Sequence, residues 1–198
     1  MAPHVSDKKH MQTIVDFLKR LFTEDFNSEY NHSNYIDVAD GKRNFHFDCS
    51  GFVYWCLAQT GYKRSLVELR KFLKEHDFIK INRFFCKDFK FIYEHKDSLK
   101  YWNFIDKPLV GCIMVVVFPD ENGHCMFIDK LINVNKDRMC LRVIDSTCYQ
   151  HKNDTRQSTG LGFGEIEIIH KNNDWFYNSN NKKLPIRKAE IYFVCPIK

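Results

Sequence analysis

The sequence predicts an α+β domain in which N-terminal helices pack on a central antiparallel β-sheet. Apolar residues recur with helical spacing in the first part of the chain, and short β-branched and aromatic runs separated by turn residues follow in the second part. No internal repeat and no long linker divides the sequence. We therefore expect its 198 residues to form a single domain over 1–198.

Three helices are predicted in the first part. Apolar side chains over residues 8–22 fit one helical face, and residues 49–60 form a buried helix that stops at Gly61, a residue suited to the C′ position. Ser65 and Glu68 have the spacing of a capping box for a further helix that runs to about His76. The polar segment 23–47 between the first two helices is expected to be a loop.

The second half favours strands. The predicted strands are Cys112–Phe118, His124–Leu131, Cys140–Ile144, Glu165–Ile169 and Ile191–Cys195. Turns are expected at Pro119, at Asn122-Gly123 and over 133–137, and a loop is expected over the glycine-rich segment 160–164. Residues 77–108 show no clean period.

Composition excludes several functional classes. The net charge of +5 is spread along the chain, without the dense basic stripe expected of a nucleic-acid-binding protein. No apolar run approaches the ~18 residues of a membrane span, and the N-terminus lacks the apolar core of a secretory leader. We therefore expect a cytoplasmic protein, or one exported without a cleaved signal peptide, such as a secreted effector. The oligomeric state is left open.

The eight cysteines are expected to be reduced. A chain of this size does not need disulfides, and several of its cysteines lie inside apolar runs, where they act as small hydrophobic residues. No C-x-x-C pair is present to indicate a zinc site. Cys148-x-x-His151 comes nearest to such spacing, but its partners would have to come from elsewhere. The prediction is no metal and no cofactor.

Cys49 carries the sharpest chemical signal. It follows Asp48 and precedes Ser50-Gly51 at the start of the predicted buried helix. There, the unpaired N–H groups and the positive end of the helix dipole stabilise a thiolate and can receive an oxyanion. The purely structural interpretation of Cys49 is a buried cysteine at a helix start.

A cysteine nucleophile needs a base and a residue to orient that base. His124 opens a strand directly after a turn, and Asp145 lies on the following strand among apolar residues, where an isolated carboxylate would be costly. The structural alternatives are a surface turn histidine and an aspartate that caps the next turn. His46 is a weaker candidate for the base, because its loop would have to double back towards Cys49.

These motifs together resemble the NlpC-type cell-wall peptidases of the papain-like superfamily. In that family an Asp-Cys-Ser-Gly-hydrophobic-Val motif starts a helix, as in Phe47–Val53, and a Gly-His motif opens a strand, as in Gly123-His124. A third polar residue, usually His, follows on the next strand, and Asp145 holds that place here. The resemblance covers about residues 44–146, with a helical and aromatic insert at about 63–103.

The resemblance implies a papain-like, NlpC-type fold and a cysteine hydrolase, a peptidase or amidase that works through an acyl-enzyme. Cys49 would be the nucleophile, His124 the base and Asp145 the orienting residue, and Asp48 would grip the free amine of a peptide stem. The substrate would be a peptidoglycan stem peptide or another peptide or small amide. The family's tyrosine and Trp-Gly-Gly segment before the cysteine is absent, which weakens the peptidoglycan assignment.

Two other functions stay open at this point. An acyltransferase or thioesterase would keep the same nucleophile and hold an acyl chain among the aromatic residues of the insert, which are Phe84, Phe85, Phe89, Phe91 and Tyr93. A non-catalytic binding module would retain the fold without the chemistry, although such proteins usually lose the nucleophile or the base.

Overall fold

This computed structural model describes residues 5–77 and 84–198, with side chains from residue 12 onward. The helices are α1 (Val5–Leu21), α2 (Cys49–Gln59), α3 (Lys63–Glu75) and α4 (Asp88–Glu94), followed by a 3-10 turn at Lys96–Ser98. The first strands are β1 (Phe26–Tyr30), β2 (Tyr35–Ala39), β3 (Lys42–Phe47) and β4 (Trp102–Ile105). The later strands are β5 (Ile113–Val117), β6 (Gly123–Val134), β7 (Arg138–Thr147), β8 (Gly160–Lys171), β9 (Asp174–Asn178) and β10 (Arg187–Pro196).

The later strands form a closed six-stranded antiparallel barrel. Strands β10, β5, β6, β7, β8 and β9 are hydrogen-bonded in that order, and β9 pairs back to β10 through the register Ala189↔Trp175. The expected papain-like, NlpC-type arrangement of helices on a central sheet is therefore wrong. The sequence analysis missed β9, and β9 is the strand that turns an open sheet into a closed one.

Strand alternation sorts the core into two parts. Met114, Met126 and Val143 belong to a cluster made almost entirely by the barrel strands. Their sequence neighbours face the other side: Phe127 and Ile144 pack with Phe52 and Leu57 of α2 in the larger cluster that includes the helices. Successive side chains along each strand point to opposite faces of the sheet. Those on one face pack with other barrel residues, and those on the other face pack against the helices.

The segment expected to be a polar loop, residues 23–47, holds β1, β2 and β3 instead. Ala39 and Lys42 face each other across a two-residue turn in which Asp40 and Gly41 both have positive φ, 52° and 75°. An Asp-Gly pair favours this turn because both positions need the left-handed backbone. The hairpin signal was present in the sequence, but the high polarity of the segment obscured it.

The predicted α2 and its stop at Gly61 are confirmed, while the capping box before α3 is wrong. Gly61 follows the helix with φ of +88°, in the left-handed region that suits glycine. Helix α3 begins at Lys63, so Ser65 lies inside it and donates to the carbonyl of Ile197 at 2.5 Å. The Glu68 carboxylate accepts from the backbone N–H groups of Lys100 and Tyr101, at 2.8 and 2.7 Å.

The glycine-rich segment predicted as a loop is the start of β8. A side chain at Gly162 would meet Arg156 Nε at 2.5 Å, and one at Gly164 would meet the Cβ of His151 at 2.5 Å. The glycines therefore leave room for the segment before β8 to lie against the strand. This close approach brings His151 and Arg156 to the end of the barrel.

One pair of cysteines departs from the expected reduced state. Cys112 and Cys195, which are 83 residues apart in sequence, form a disulfide between the entry to β5 and the end of β10. The free cysteines among the described residues are Cys49, Cys56, Cys86, Cys125, Cys140 and Cys148. No helix in the described parts of the chain is both long and apolar enough to cross a membrane.

Candidate active site

Cys49 is the first residue of α2, and Asp48 caps the helix. One carboxylate oxygen of Asp48 accepts from the backbone N–H of Gly51 at 2.7 Å and from the hydroxyl of Ser50 at 3.1 Å. The Asp48 carbonyl accepts from the N–H of Phe52 at 3.0 Å. This cap fixes the direction of the first turn, so the thiol of Cys49 sits at the positive end of the helix dipole.

The second oxygen of Asp48 is also engaged. Nδ1 of His32 lies 3.2 Å from it and Nδ2 of Asn34 lies 3.3 Å from it. Asn34 packs directly against Gly51, so any side chain at that position would displace the Asn34 amide. The structure thus assigns Asp48 a role in holding the helix start, and its expected grip on a substrate amine stays a prediction.

His124 and Asp145 come together as predicted from the motif order. Nε2 of His124 lies 2.5 Å from Oδ2 of Asp145, and both side chains are almost fully buried. The other ring nitrogen, Nδ1, is left for Cys49, with which the ring makes a side-chain hydrogen bond. The thiol, the imidazole and the carboxylate therefore lie in a row, with the ring between the other two groups. A nucleophile, its base and the residue that orients the base are arranged in this order in cysteine hydrolases.

A contact between distant elements sets the position of Cys49 relative to Asp145. Ser146, the neighbour of Asp145 on β7, donates its hydroxyl to the carbonyl of Phe47 at 2.5 Å. Phe47 ends β3 two residues before Cys49. This hydrogen bond ties the entry of α2 to the strand that carries the orienting carboxylate.

The sequence analysis missed two residues that hold Asp145. Nε2 of His151 lies 2.9 Å from Oδ2 of Asp145, and Nη2 of Arg156 donates to Oδ1 at 2.5 Å. Nδ1 of His151 faces the carbonyl of Ser179 at 3.0 Å, and Nε of Arg156 donates to Asp154 at 2.8 Å. Both ring nitrogens of His151 thus face oxygen acceptors, so this ring is held between Asp145 and the Ser179 carbonyl.

The charges of this cluster reinforce one another. Burial acts to raise the pKa of Asp145, but the positive charges of Arg156 and His151 and the hydrogen bond from His124 hold it well below its ordinary value. Burial acts to lower the pKa of His124, but the charge of Cys49 and the hydrogen bond to Asp145 raise it well above its ordinary value. The geometry therefore favours an imidazolium at His124 beside a carboxylate at Asp145.

Two further thiols surround Cys49. The sulfur atoms of Cys49, Cys86 and Cys125 all lie within 4.8 Å of one another, and all three residues are buried. Hydrogen bonds from Cys125 and Cys86, followed by His124, outweigh burial and hold the pKa of Cys49 well below its ordinary value. Of the three thiols, Cys49 is the one whose pKa is lowered, and the other two act as donors to its sulfur.

Cys86 and Cys125 have the opposite tendency. Burial, together with the hydrogen bond to Cys49, raises the pKa of Cys125 well above its ordinary value. For Cys86, a hydrogen bond from Cys125 acts to lower the pKa, but the hydrogen bond to Cys49 and burial raise it well above its ordinary value. No sequence spacing links these two residues to Cys49, because they come from separate elements.

Two other groups considered from the sequence lie apart from this chemistry. His46 bonds to Glu29 at 2.8 Å and stacks on Tyr35 within the small β1–β3 sheet, so it is engaged away from Cys49. The insert aromatics contact other rings: Phe84 packs on Phe89 and Phe91 packs on His95. The acyl-chain site expected for an acyltransferase or thioesterase gains no support from these contacts.

A wide cleft on the protein is not lined by Cys49, His124 or Asp145. It has a volume of about 1180 Å³ and is lined by residues that include Tyr93, Phe118, Trp175 and Glu190. Cys49 itself is only 6% exposed, at the entry of α2. Cys49 is therefore a buried thiol outside this cleft.

Comparisons with known proteins place the chain in no family. No protein-family model, no curated protein and no solved structure matches it.

Proposed function

We propose that the protein is a cysteine-nucleophile hydrolase that cleaves an amide bond through an acyl-enzyme. The observation that carries this proposal is the position of His124, which bonds to Asp145 at 2.5 Å through one ring nitrogen and to Cys49 through the ring's other side. A cysteine at a helix start, an imidazole and a buried carboxylate in this order form an activated nucleophile.

In the proposed reaction, the Cys49 thiolate attacks the carbonyl carbon of the substrate, and the carbonyl oxygen becomes the oxyanion. The N–H groups of Gly51 and Phe52 already bond to Asp48, so we assign the N–H of Cys49 as the donor to this oxyanion. The imidazolium of His124 gives its proton to the leaving amine, and the carbon–nitrogen bond breaks to leave a thioester on Cys49.

Water completes the cycle. The now neutral His124 takes a proton from water, and the resulting hydroxide attacks the thioester carbonyl. The carbon–sulfur bond breaks, the carboxylic acid product leaves, and Cys49 returns to the thiolate with His124 protonated. Asp145 keeps its charge throughout, since His151 and Arg156 stabilise it, and it holds the ring that must face Cys49.

The substrate class that fits this chemistry is a peptide or a small amide. The Asp-Cys-Ser-Gly motif over residues 48–51 motivates peptidoglycan stem peptides as the first compounds to assay. A grip of Asp48 on a free amine would require that its bonds to His32 and Asn34 be exchanged for the ligand. The alternative of a non-catalytic binding module is less well supported, because such a module would not need the buried contacts among Cys49, His124 and Asp145.

The proposal is tested by covalent labelling and by turnover on one set of variants. We expect a limiting amount of iodoacetamide at pH ~6.5 to modify Cys49 before the exposed Cys148, because Cys49 is the ionised thiol. Incubation with stem peptides and a panel of amides should give a Cys49 acyl adduct, seen by mass spectrometry.

The control variants are Cys49→Ala, which should abolish both signals, and Cys148→Ser, which should change neither. Labelling of Cys148 ahead of Cys49 in the folded protein would contradict the assignment of the nucleophile. Rapid labelling without an acyl adduct from any amide would reject the hydrolase while leaving an activated thiol.

A further inference from the structure

The three-cysteine cluster around the nucleophile has the chemistry of a metal site. We infer that Cys49, Cys86 and Cys125 bind a single Zn²⁺ ion through their sulfur atoms. Thiolates are soft ligands that select zinc and copper(I) over magnesium and calcium. The binding itself does not depend on the hydrolase activity.

The geometry of the cluster fits a zinc ion closely. The sulfur atoms lie within 4.8 Å of one another. Zinc–sulfur bonds of about 2.3 Å in a tetrahedral site separate the sulfurs by about 3.8 Å. Side-chain shifts of about 1 Å therefore close the three thiolates around the ion, and the fourth position stays open to a water molecule.

The three ligands come from elements that the fold itself brings together. Cys49 begins α2, Cys125 lies on β6 and Cys86 lies in the turn before α4. The approach of Cys86 depends on Gly123, because a side chain there would meet the Cβ of Cys86 at 2.5 Å. Three dispersed thiols thus meet at one point, which explains why no C-x-x-C spacing marks the site.

A second group of potential ligands, His124, Asp145 and His151, is also close enough to hold an ion. It is a poorer cation site, because Nη2 of Arg156, a group that keeps its positive charge, donates to the Asp145 carboxylate at 2.5 Å. A cation placed there would face the guanidinium. The cysteine group also has a cationic neighbour, because His124 bonds to Cys49, but an imidazolium can release its proton when zinc binds, whereas a guanidinium keeps its charge.

Zinc binding has a consequence that rests on the proposed function. A Cys49 sulfur bonded to zinc is a weaker nucleophile than the free thiolate, so the ion would inhibit the hydrolase reversibly. Binding also requires Cys86 and Cys125 to release their protons to solvent, which makes the affinity rise with pH. Zinc at this site would therefore inhibit the enzyme, and a chelator that removes the ion would restore activity.

The test is X-ray absorption at the zinc edge on the 198-residue protein, with its free cysteines in the thiol form and loaded with one equivalent of Zn²⁺. We expect three sulfur ligands at about 2.3 Å and one oxygen or nitrogen ligand at about 2.0–2.1 Å. A first shell of oxygen and nitrogen alone would overturn the proposal, and this measurement on the wild-type protein needs no variant that folds.

Variants assign the sulfurs. Cys86→Ser should reduce the sulfur count to two and weaken zinc binding more than about tenfold in a chelator competition. Cys148→Ser, which removes an exposed thiol, should leave both values unchanged. An unchanged sulfur count in Cys86→Ser would refute this ligand set. Loss of hydrolase activity alone would not, because zinc binding is measured on inactive protein as well.

Discussion

His124 and His151 bond to the same carboxylate oxygen, at 2.5 and 2.9 Å from Oδ2 of Asp145. This one oxygen atom therefore orients the His124 ring towards Cys49 and also anchors the segment before β8 through His151. His151 differs from His124 in that its other nitrogen faces the Ser179 carbonyl and is closed to a substrate. His124 is thus the histidine whose ring bonds to Cys49.

The first prediction concerns this division of labour. His124→Gln should remove the rapid alkylation of Cys49 at pH ~6.5, because the imidazolium partner of the thiolate is lost. His151→Gln should leave most of the labelling and reduce turnover, since it loosens Asp145 without removing the base. Mass spectrometry of the labelled peptide measures both. Equal labelling rates in the two variants would contradict the assignment.

The second prediction is the pH dependence of turnover. The pKa of Cys49 is lowered by Cys125, Cys86 and His124, while the charge of Cys49 and the bond to Asp145 raise the pKa of His124 despite its burial. As pH rises, kcat/KM should increase through the Cys49 ionisation, below the ordinary cysteine value of about 8.5. It should fall again as His124 loses its proton, above the ordinary histidine value of about 6.5.

The rate of Cys49 alkylation, measured against pH, distinguishes the rise of the kcat/KM profile from its fall. This rate depends only on the thiolate, so it should rise on the acid side without an alkaline fall. In His124→Gln the acid limb should move to higher pH, because the positive charge beside the thiol is gone. An unshifted limb in that variant would show that His124 does not stabilise the thiolate.

The third prediction concerns the stability of the barrel end. Arg156→Gln removes the guanidinium that the buried carboxylates of Asp145 and Asp154 share, and removal of one partner from a buried ion pair costs about 3–5 kcal/mol. Urea unfolding should show this loss. Arg187→Gln is the matched control, since its ion pair with Asp120 is exposed and should contribute less than about 1 kcal/mol. Similar midpoints for the two variants would contradict the role of Arg156.

The fourth prediction concerns Glu68. Glu68→Ala removes the acceptor for the backbone N–H groups of Lys100 and Tyr101, and loss of such an acceptor costs about 1–3 kcal/mol. Glu75→Ala, also on α3, breaks only an exposed pair with Lys71 and should cost less than about 0.5 kcal/mol. Chemical unfolding compares them, and an equal effect would show that the carboxylate acts only as a surface charge.

The meeting of Cys49, His124 and Asp145 could be predicted from the sequence, whereas the barrel fold could not. A cysteine at a helix start, a histidine after a turn and a carboxylate between apolar residues are local patterns, and Cys49, His124 and Asp145 do meet in the structure. Closure of the barrel is not a local pattern. It depends on β9, whose short run Trp175-Phe176-Tyr177 lacks the alternation that marks a half-buried strand.

The supporting residues were harder to predict for a different reason. His151 and Arg156 lie on an irregular segment that reaches Asp145 only because Gly162 and Gly164 leave space beside β8. The sequence shows those glycines, but glycine is also typical of loops, and the loop interpretation was chosen. Cys86 and Cys125 carried no signal, because nothing in their spacing relates them to Cys49.

The pairing of β5 with β10 bears on how the chain is made. Cys112 and Cys195 are 83 residues apart, and the wholly buried strand Ile113–Val117 has its β10 partner only after β6 to β9 have been synthesised. During translation the edge of β5 that pairs with β10 therefore has no partner until β10 has been synthesised. Such an edge is a template for association with other nascent chains, so we expect aggregation during expression to be most sensitive to substitutions in β5 and β10.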